Sequence, residues 1–418
     1  MGAAGLLVVL SALIARRLDA DRLLLDAAPL VGDWMPSLPT SLPATVGVVA
    51  GAVVVVAGAP VAIRSLPWPA LLIGGWATAA VFAVGLAAVD GWDAVAAPLT
   101  SGFEYRAVLP EIEVVGGGTF VDSFVDRLPD YPTHVRGHPV GLPLVFWGQE
   151  TLGLAGPGWS AAIVIGAGTS VVVSIGTMIR VVAGEAVARR AVPFLVLSPS
   201  VLWVATSADA LIAGAVCAAV ALFTVGVYRV DSWSPIAVVL GGAVAGGALH
   251  LSYGAVLMLL PMLVVAAVRV RWWSLVLAAV GAAAVTGLFL AAGFWWFDGL
   301  EATRVEYERG AGGFRPYWYF ALLANPAALL LALGPAVVVA LTRLRDRRVW
   351  IVVGGALAGV VLADLSGLSK GEVERIWLPF VPFLTAATVA LPRRSWRWWL
   401  ALQAGVTIVL QLVLESPW

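Results

Sequence analysis

Runs of about twenty apolar residues recur through this chain, and no other feature limits its folding as strongly. Residues 44–63, 68–89 and 273–292 carry no charged side chain. A run of that length buried in lipid has to satisfy its own backbone N–H and C=O groups, and an α-helix does so within one segment. The composition agrees, with 61% of residues hydrophobic and 12% charged, where a soluble domain carries about 25% charged residues. The sequence therefore predicts an all-α, polytopic membrane protein resting in a lipid bilayer. Expected spans are 3–16, 44–63, 68–89, 158–182, 191–207, 209–228, 235–250, 252–268, 273–292, 317–342, 349–366, 376–392 and 397–414, about 13 transmembrane helices. Residues 139–154 are interrupted by Pro and Gly and read as a re-entrant or interfacial helix.

Other classes drop out on composition. Formal net charge is zero, so no global field recruits nucleic acid. Cys217 is the only cysteine, which excludes an intramolecular disulfide and a cysteine-based metal cluster. Lys370 is the only lysine among abundant arginine, and with the Ala, Val and Gly content this points to a GC-rich bacterial genome. Arg16 and Arg17 follow the first apolar run instead of preceding it, so residues 3–16 read as a retained helix and not as a signal peptide.

Arginine sets the orientation. Arg64, Arg180, Arg189, Arg190, Arg229, Arg269, Arg271, Arg343, Arg345, Arg347, Arg348, Arg393, Arg394 and Arg397 fall on one side if 139–154 does not cross, and the positive-inside rule makes that side cytoplasmic. Loops 90–138, 293–316 and 367–375 then face outward, and so, against the rule, do Arg16 and Arg17. Ordinary connections run to about 4–6 residues, so the charged stretch 90–138 is the first place to look for chemistry.

Four polar constellations stand out. Glu104, in Phe103-Glu104-Tyr105-Arg106, is placed to act as a general base near the membrane surface, or is a solvated acid. His134, Arg136 and His138 lie within five positions ahead of an apolar segment. Their donors suit a phosphate, and the alternative is that the imidazoles cap the following helix. The H-x-x-x-H spacing is that of some zinc sites, but Gly137 and Pro139 break a helix there and no third ligand is evident. Nothing in the sequence demands a metal. Asp209 opens an apolar run after Ser-Ala, and reads equally as a functional acid or as an N-cap. Lys370, Glu372, Glu374 and Arg375 precede the span 376–392. The cations are either membrane anchors or a phosphate grip oriented by the carboxylates. His250 and Asp364 are intramembrane polar groups of the helix-packing kind.

Taken in order, these motifs resemble the GT-C membrane glycosyltransferases that use polyprenyl-phosphate sugars, in the branch of the aminoarabinose and mannosyl transferases. FEYRAVLP resembles that family's acidic first-loop motif, GHPVGLPLVFW its proline-aromatic segment, FLVLSPSVLWVATSADALIAG its Ser-Pro helix, and KGEVERIWLPFVPFL its late Arg-Tyr-Leu-Leu-Pro segment. Two departures stand beside the match: Ser101-Gly102-Phe103 replaces the usual neighbouring acid, and His138-Pro139-Val140 carries one proline where two are common. The resemblance implies three parts: additional N-terminal transmembrane helices in 1–67, a GT-C-like membrane catalytic core in 68–392, and a C-terminal transmembrane helix in 393–418. It implies a bacterial plasma-membrane enzyme that transfers a sugar from a polyprenyl-phosphate donor to an envelope glycan or glycolipid. Inversion follows if one displacement occurs, and no cofactor is expected, with a divalent metal left open. Glu104 takes the base position. Lys370 and Arg375, with Arg106 and His138, take the donor phosphate, and Tyr105, His134, Arg136, Asp209, Glu372 and Glu374 form the expected substrate-binding set. The alternative is a transporter or flippase of a lipid-linked or small substrate. Transporters gather polar groups at the midplane, whereas here they gather in outward loops.

Overall fold

The computed structural model describes residues 2–18, 23–34, 39–205 and 207–416. The chain is a helical, multi-pass membrane protein. Among the described residues nine helices are long and apolar enough to cross a membrane: Leu42–Ser65, Trp68–Asp90, Pro157–Ala183, Asp209–Tyr228, Ser234–Leu251, Trp273–Ala291, Tyr317–Arg343, Arg347–Leu365 and Val373–Ala390. The expected count of about 13 is reached only with four further elements that are shorter, broken or less apolar. Gly2–Ala15 has 14 residues, or about 21 Å of helix against a hydrocarbon core of about 30 Å. Ala255–Arg269 is likewise short. The expected span 191–207 includes Thr206, which lies outside the described residues; the rest is a helix Glu185–Val196 followed by a 3₁₀ turn Pro199–Trp203. Trp396–Val413 is long enough but carries Arg397, Gln403 and Gln411.

Small residues set how closely the helices approach. Asp209–Tyr228, Ser234–Leu251 and Trp273–Ala291 pack side by side through glycine. A Cβ on Gly242 would lie 1.9 Å from the Ala278 carbonyl oxygen, and one on Gly281 would lie 2.1 Å from that of Val239. Close backbone approach of this kind gives the dispersion contact that holds helices together in lipid. Elsewhere a side chain mends a broken helix. At Gly334, with φ +72°, the helix Asn325–Arg343 loses its ladder; Gln403 donates to the Leu333 carbonyl at 2.6 Å and accepts from the Ala336 amide at 3.0 Å.

The two ends of the bundle differ in chemistry. Arg189 donates to the Ile63 and Leu66 carbonyls at 3.2 and 2.9 Å, and Arg190 to that of Leu391 at 2.7 Å. Asp209 opens and Tyr228 closes one helix, so Asp209 lies at the opposite end from Arg229. At the Asp209 end the three long loops meet. Arg136 pairs with Glu306 at 3.2 Å, Tyr307 donates to the Gly367 carbonyl at 3.3 Å, and Arg315 donates to the Lys370 carbonyl. The N-terminal segment closes against this end, where the Val31 amide donates to Glu374 at 3.1 Å. Asp33–Trp34 forms a two-stranded antiparallel pair with Leu414–Glu415.

Candidate active site

The long polar loop is a folded cap with its own apolar core. It is built of short helices, among them Leu109–Val115, Gly117–Ser123, Thr133–Arg136 and Gly141–Thr151. Phe120, Phe124 and Tyr131 are buried beneath them, Phe124 stacking on Tyr131 at 5.3 Å and meeting Phe294 of the next loop edge-on at 5.9 Å. Gly141–Thr151 has 11 residues, about 16 Å of helix, too short to cross. On this rigid cap the segments around Glu104 and His134 are joined by a backbone bond from the His134 amide to the Phe103 carbonyl at 3.1 Å.

At their junction five polar side chains form a continuous network, with Glu104, Asp209 and Arg375 buried and His134 and Glu372 partly so. Glu104 Oε1 lies 2.7 Å from His134 Nδ1, and His134 Nε2 lies 3.4 Å from the Arg375 guanidinium. Arg375 Nη1 donates to Asp209 Oδ2 at 2.6 Å, and Nη2 to Glu372 Oε2 at 2.5 Å. An arginine only donates hydrogen bonds, so His134 Nε2 is the acceptor in that contact. The imidazole proton therefore sits on Nδ1 and is donated to Glu104. Glu104 Oε2 is buried and without a hydrogen-bond partner among the described residues, a carboxylate oxygen with unspent accepting capacity.

The surroundings fix this arrangement. Asp209 is the first residue of the helix Asp209–Tyr228 and not its cap; Ala208 takes that place, with no side-chain cap bond. Its carboxylate accepts from Ser207 Oγ at 2.6 Å and lies where the helix dipole favours negative charge. Glu372 has a left-handed backbone with φ +61°, a conformation costing about 1–2 kcal/mol in a non-glycine residue. That turn aims Glu372 at Arg375 and Arg315 while Glu374, two positions on, is buried against Val31. Asn325 holds the same loop from beneath, donating to the Ser369 carbonyl at 2.7 Å and to Asp364 at 2.9 Å, and accepting from the Gly371 amide at 3.1 Å. Burial pushes the Glu372 carboxyl up, but Arg375 and Arg315 more than offset this and hold it below the usual carboxylate range. Burial, helped by the charges of Asp209 and Glu104, raises the Tyr105 phenol well above its ordinary value. Burial lowers the His138 imidazole. These two groups touch at 2.9 Å, Tyr105 Oη to His138 Nδ1.

The structure brings Glu104, Tyr105, His134, His138, Asp209, Glu372 and Arg375 together, and places the other four apart. The Arg106 guanidinium turns to Glu150 at 2.6 Å and Ser160 at 2.8 Å. Arg136 pairs with Glu306. Glu374 faces the N-terminal segment. Lys370 Nζ donates to the Gly312 carbonyl at 2.5 Å, at the rim of the cluster. Neither imidazole caps the helix Gly141–Thr151; His138 Nδ1 lies 3.1 Å from the His134 carbonyl and closes the preceding short helix. The sequence reading missed Arg315, which is buried with Nε unpartnered, lies 3.7 Å from Glu372, and donates to the Lys370 carbonyl. Its one signal was position: a cation beside Pro316 at the start of a span. Among the described residues no three His, Cys, Asp or Glu side chains are placed to hold a metal ion.

No family model matches the chain. No curated protein matches it. Among solved structures the chain is similar to the crystal structure of ArnT from Cupriavidus metallidurans in the apo state, at 18% identity and a TM-score of 0.44, over 68% of this chain and 56% of that one. The match thus spans little more than half of that protein's length, and a likeness so shallow carries no conclusion about family or chemistry.

Proposed function

We propose that this chain is a bacterial plasma-membrane glycosyltransferase of the GT-C kind, moving a sugar from a polyprenyl-phosphate donor to an envelope glycan or glycolipid on the extracytoplasmic side. The observation that carries the reading is the Glu104–His134–Arg375 array: an underused buried carboxylate oxygen on one side of an imidazole and a guanidinium on the other. The motifs that resemble the family in sequence supply its residues from separate parts of the chain. A glycosyl transfer needs those two chemistries on opposite sides of one anomeric carbon.

In this reading the acceptor hydroxyl reaches Glu104 Oε2 and gives up its proton there as its oxygen bonds the anomeric carbon. The bond from that carbon to the phosphate oxygen breaks with its electron pair, and the polyprenyl phosphate leaves with one more negative charge than it carried as a diester. Cations that meet this growing charge act on the transition state more than on the ground state. Arg375, Arg315 and Lys370 are the cations at hand. Glu372 and Asp209 both pair with Arg375 in the structure, and Glu372 is the more exposed of the two, so in this reading Glu372 is the carboxylate that an incoming phosphate displaces. A single displacement inverts the anomeric centre. His134 holds Glu104 as an oriented acceptor, a positioning role. The transporter reading gains no support from His250, which lies near the Glu104 end of the helix Ser234–Leu251 and meets the Gly246 carbonyl at 2.8 Å and the Phe289 ring.

The test is donor class. Purified full-length protein given polyprenyl-phosphate sugar and a crude envelope acceptor should release polyprenyl phosphate, and should leave nucleotide sugars intact. Turnover of a nucleotide sugar without lipid would overturn the proposal.

A further inference from the structure

At the arginine-rich end of the bundle, away from the Glu104 network, lies a cavity of about 250 Å³ whose lining includes Arg190, Arg343, Arg345 and Asp346, with Val187 and Val389 on its apolar side. The positive-inside bias accounts for arginines at this end. It does not account for three of them around one cavity. Asp346 is the only carboxylate in the lining, and it is already engaged. It caps the helix Arg347–Leu365 by accepting from the Arg348 amide at 2.9 Å, and pairs with the Arg348 guanidinium at 3.1 Å. Among the described residues no carboxylate lies within ion-pair distance of Arg190, Arg343 or Arg345. Their bonds go to neutral carbonyls, Arg190 to Leu391 at 2.7 Å and Arg345 to Leu344 at 3.2 Å. Arg393 adds a further like charge: burial first, and Arg393 second, depress the Arg190 pKa.

Like charges gathered around a hollow whose one carboxylate is already paired with Arg348 create a focused positive potential. The volume is far above the ~10–15 Å³ that one water needs and just below the ~300 Å³ at which drug-sized ligand pockets begin. It is a space for a small anion. The guanidinium is the side chain whose planar fork matches phosphate oxygens, and the one lysine of the chain lies at the other end. We propose that this cavity binds a phosphate group, supplied by the headgroup of an anionic phospholipid or by a soluble phosphate.

The experiment follows unfolding temperature in neutral detergent for full-length protein titrated with short-chain phosphatidylglycerol or inorganic phosphate, with phosphatidylcholine as the uncharged control. Arg190 is tied to Leu391 and its replacement risks the fold, so the variant is Arg343→Gln/Arg345→Gln, both exposed. Arg304→Gln, at an exposed arginine of the opposite end with no part in the proposed donor site, serves as the control variant. Phosphatidylglycerol or phosphate should stabilise the wild type where phosphatidylcholine does not. Apparent affinity should drop at least about tenfold in the double variant and hold in Arg304→Gln. Tighter binding of phosphatidylglycerol than of phosphate identifies a lipid headgroup, and equal binding identifies the phosphate alone. The proposal is overturned if neither anion stabilises the wild type, or if the double variant binds as the wild type does. Because the readout is binding, it stands or falls independently of transferase activity.

Discussion

At the scale of single residues, the site is a knot of paired charges, and this decides which substitutions are informative. Arg375 is buried between Asp209 and Glu372. Removing one member of a buried ion pair costs about 3–5 kcal/mol, because the other charge is left alone, so an alanine at 375 tests the fold before it tests the donor. Lys370 is cleaner. Its ammonium donates to the Gly312 carbonyl and has no carboxylate partner among the described residues. Lys370→Ala should keep wild-type unfolding temperature and weaken use of the lipid donor about ten- to a hundredfold, the loss of one charge-assisted bond of about 1.5–3 kcal/mol. Donor KM and kcat beside a thermal melt check this; unchanged donor use would make Lys370 a membrane anchor. Side-chain partners were the least legible part of the sequence. Arg106 stands two positions from Glu104 but is taken by Glu150, to which no role was given. Glu372 and Glu374 share a motif, yet the left-handed turn at 372 sends them to different places. Arg315 lies 55 positions from Lys370, and no local spacing announces the pair.

At the scale of elements, long apolar runs marked the helices well, because length and charge depletion are local properties. The expected span 158–182 falls within the membrane helix Pro157–Ala183. The same rule misjudged continuity elsewhere. The segment 252–268 is split at Leu259. Where an element sits depends on close approaches that hydropathy does not record. Gly141 opens the helix that follows His138, and a Cβ there would lie 2.3 Å from the His250 carbonyl oxygen. Gly141→Ala should therefore force the helix off its neighbour, destabilising by about 1–3 kcal/mol as overpacking does. Gly148→Ala, in the same helix with nothing within 4 Å of its Cβ, should be neutral or stabilising by up to about 1 kcal/mol. Thermal or denaturant unfolding of the two variants makes the comparison. Equal stability of both would contradict the packing described for this helix.

At the scale of the whole molecule, three loops far apart in sequence meet at one end of the bundle, and arginine-rich turns occupy the other. The positive-inside bias made this division legible before any contact was known. Orientation in the membrane can be checked directly. In a Cys217→Ala background, single cysteines at the exposed positions Glu113, Glu301 and Arg394 should report on the two ends. An impermeant thiol reagent on intact cells should label the first two, and Arg394→Cys only after permeabilisation. The reverse pattern would put the Glu104 network on the cytoplasmic side and remove the lipid-linked donor from the account. The most direct test of the central claim is turnover of polyprenyl-phosphate sugar by the Glu104→Gln protein, which keeps the shape of the side chain and removes its basicity. The account predicts a loss of at least about a hundredfold, on the order of 2.7 kcal/mol of transition-state stabilisation, with donor binding within a few-fold of wild type. The exposed acids of the same loop, in Asp122→Asn and Asp126→Asn, should stay near wild type. Wild-type turnover in Glu104→Gln, with either aspartate variant inactive, would contradict the account.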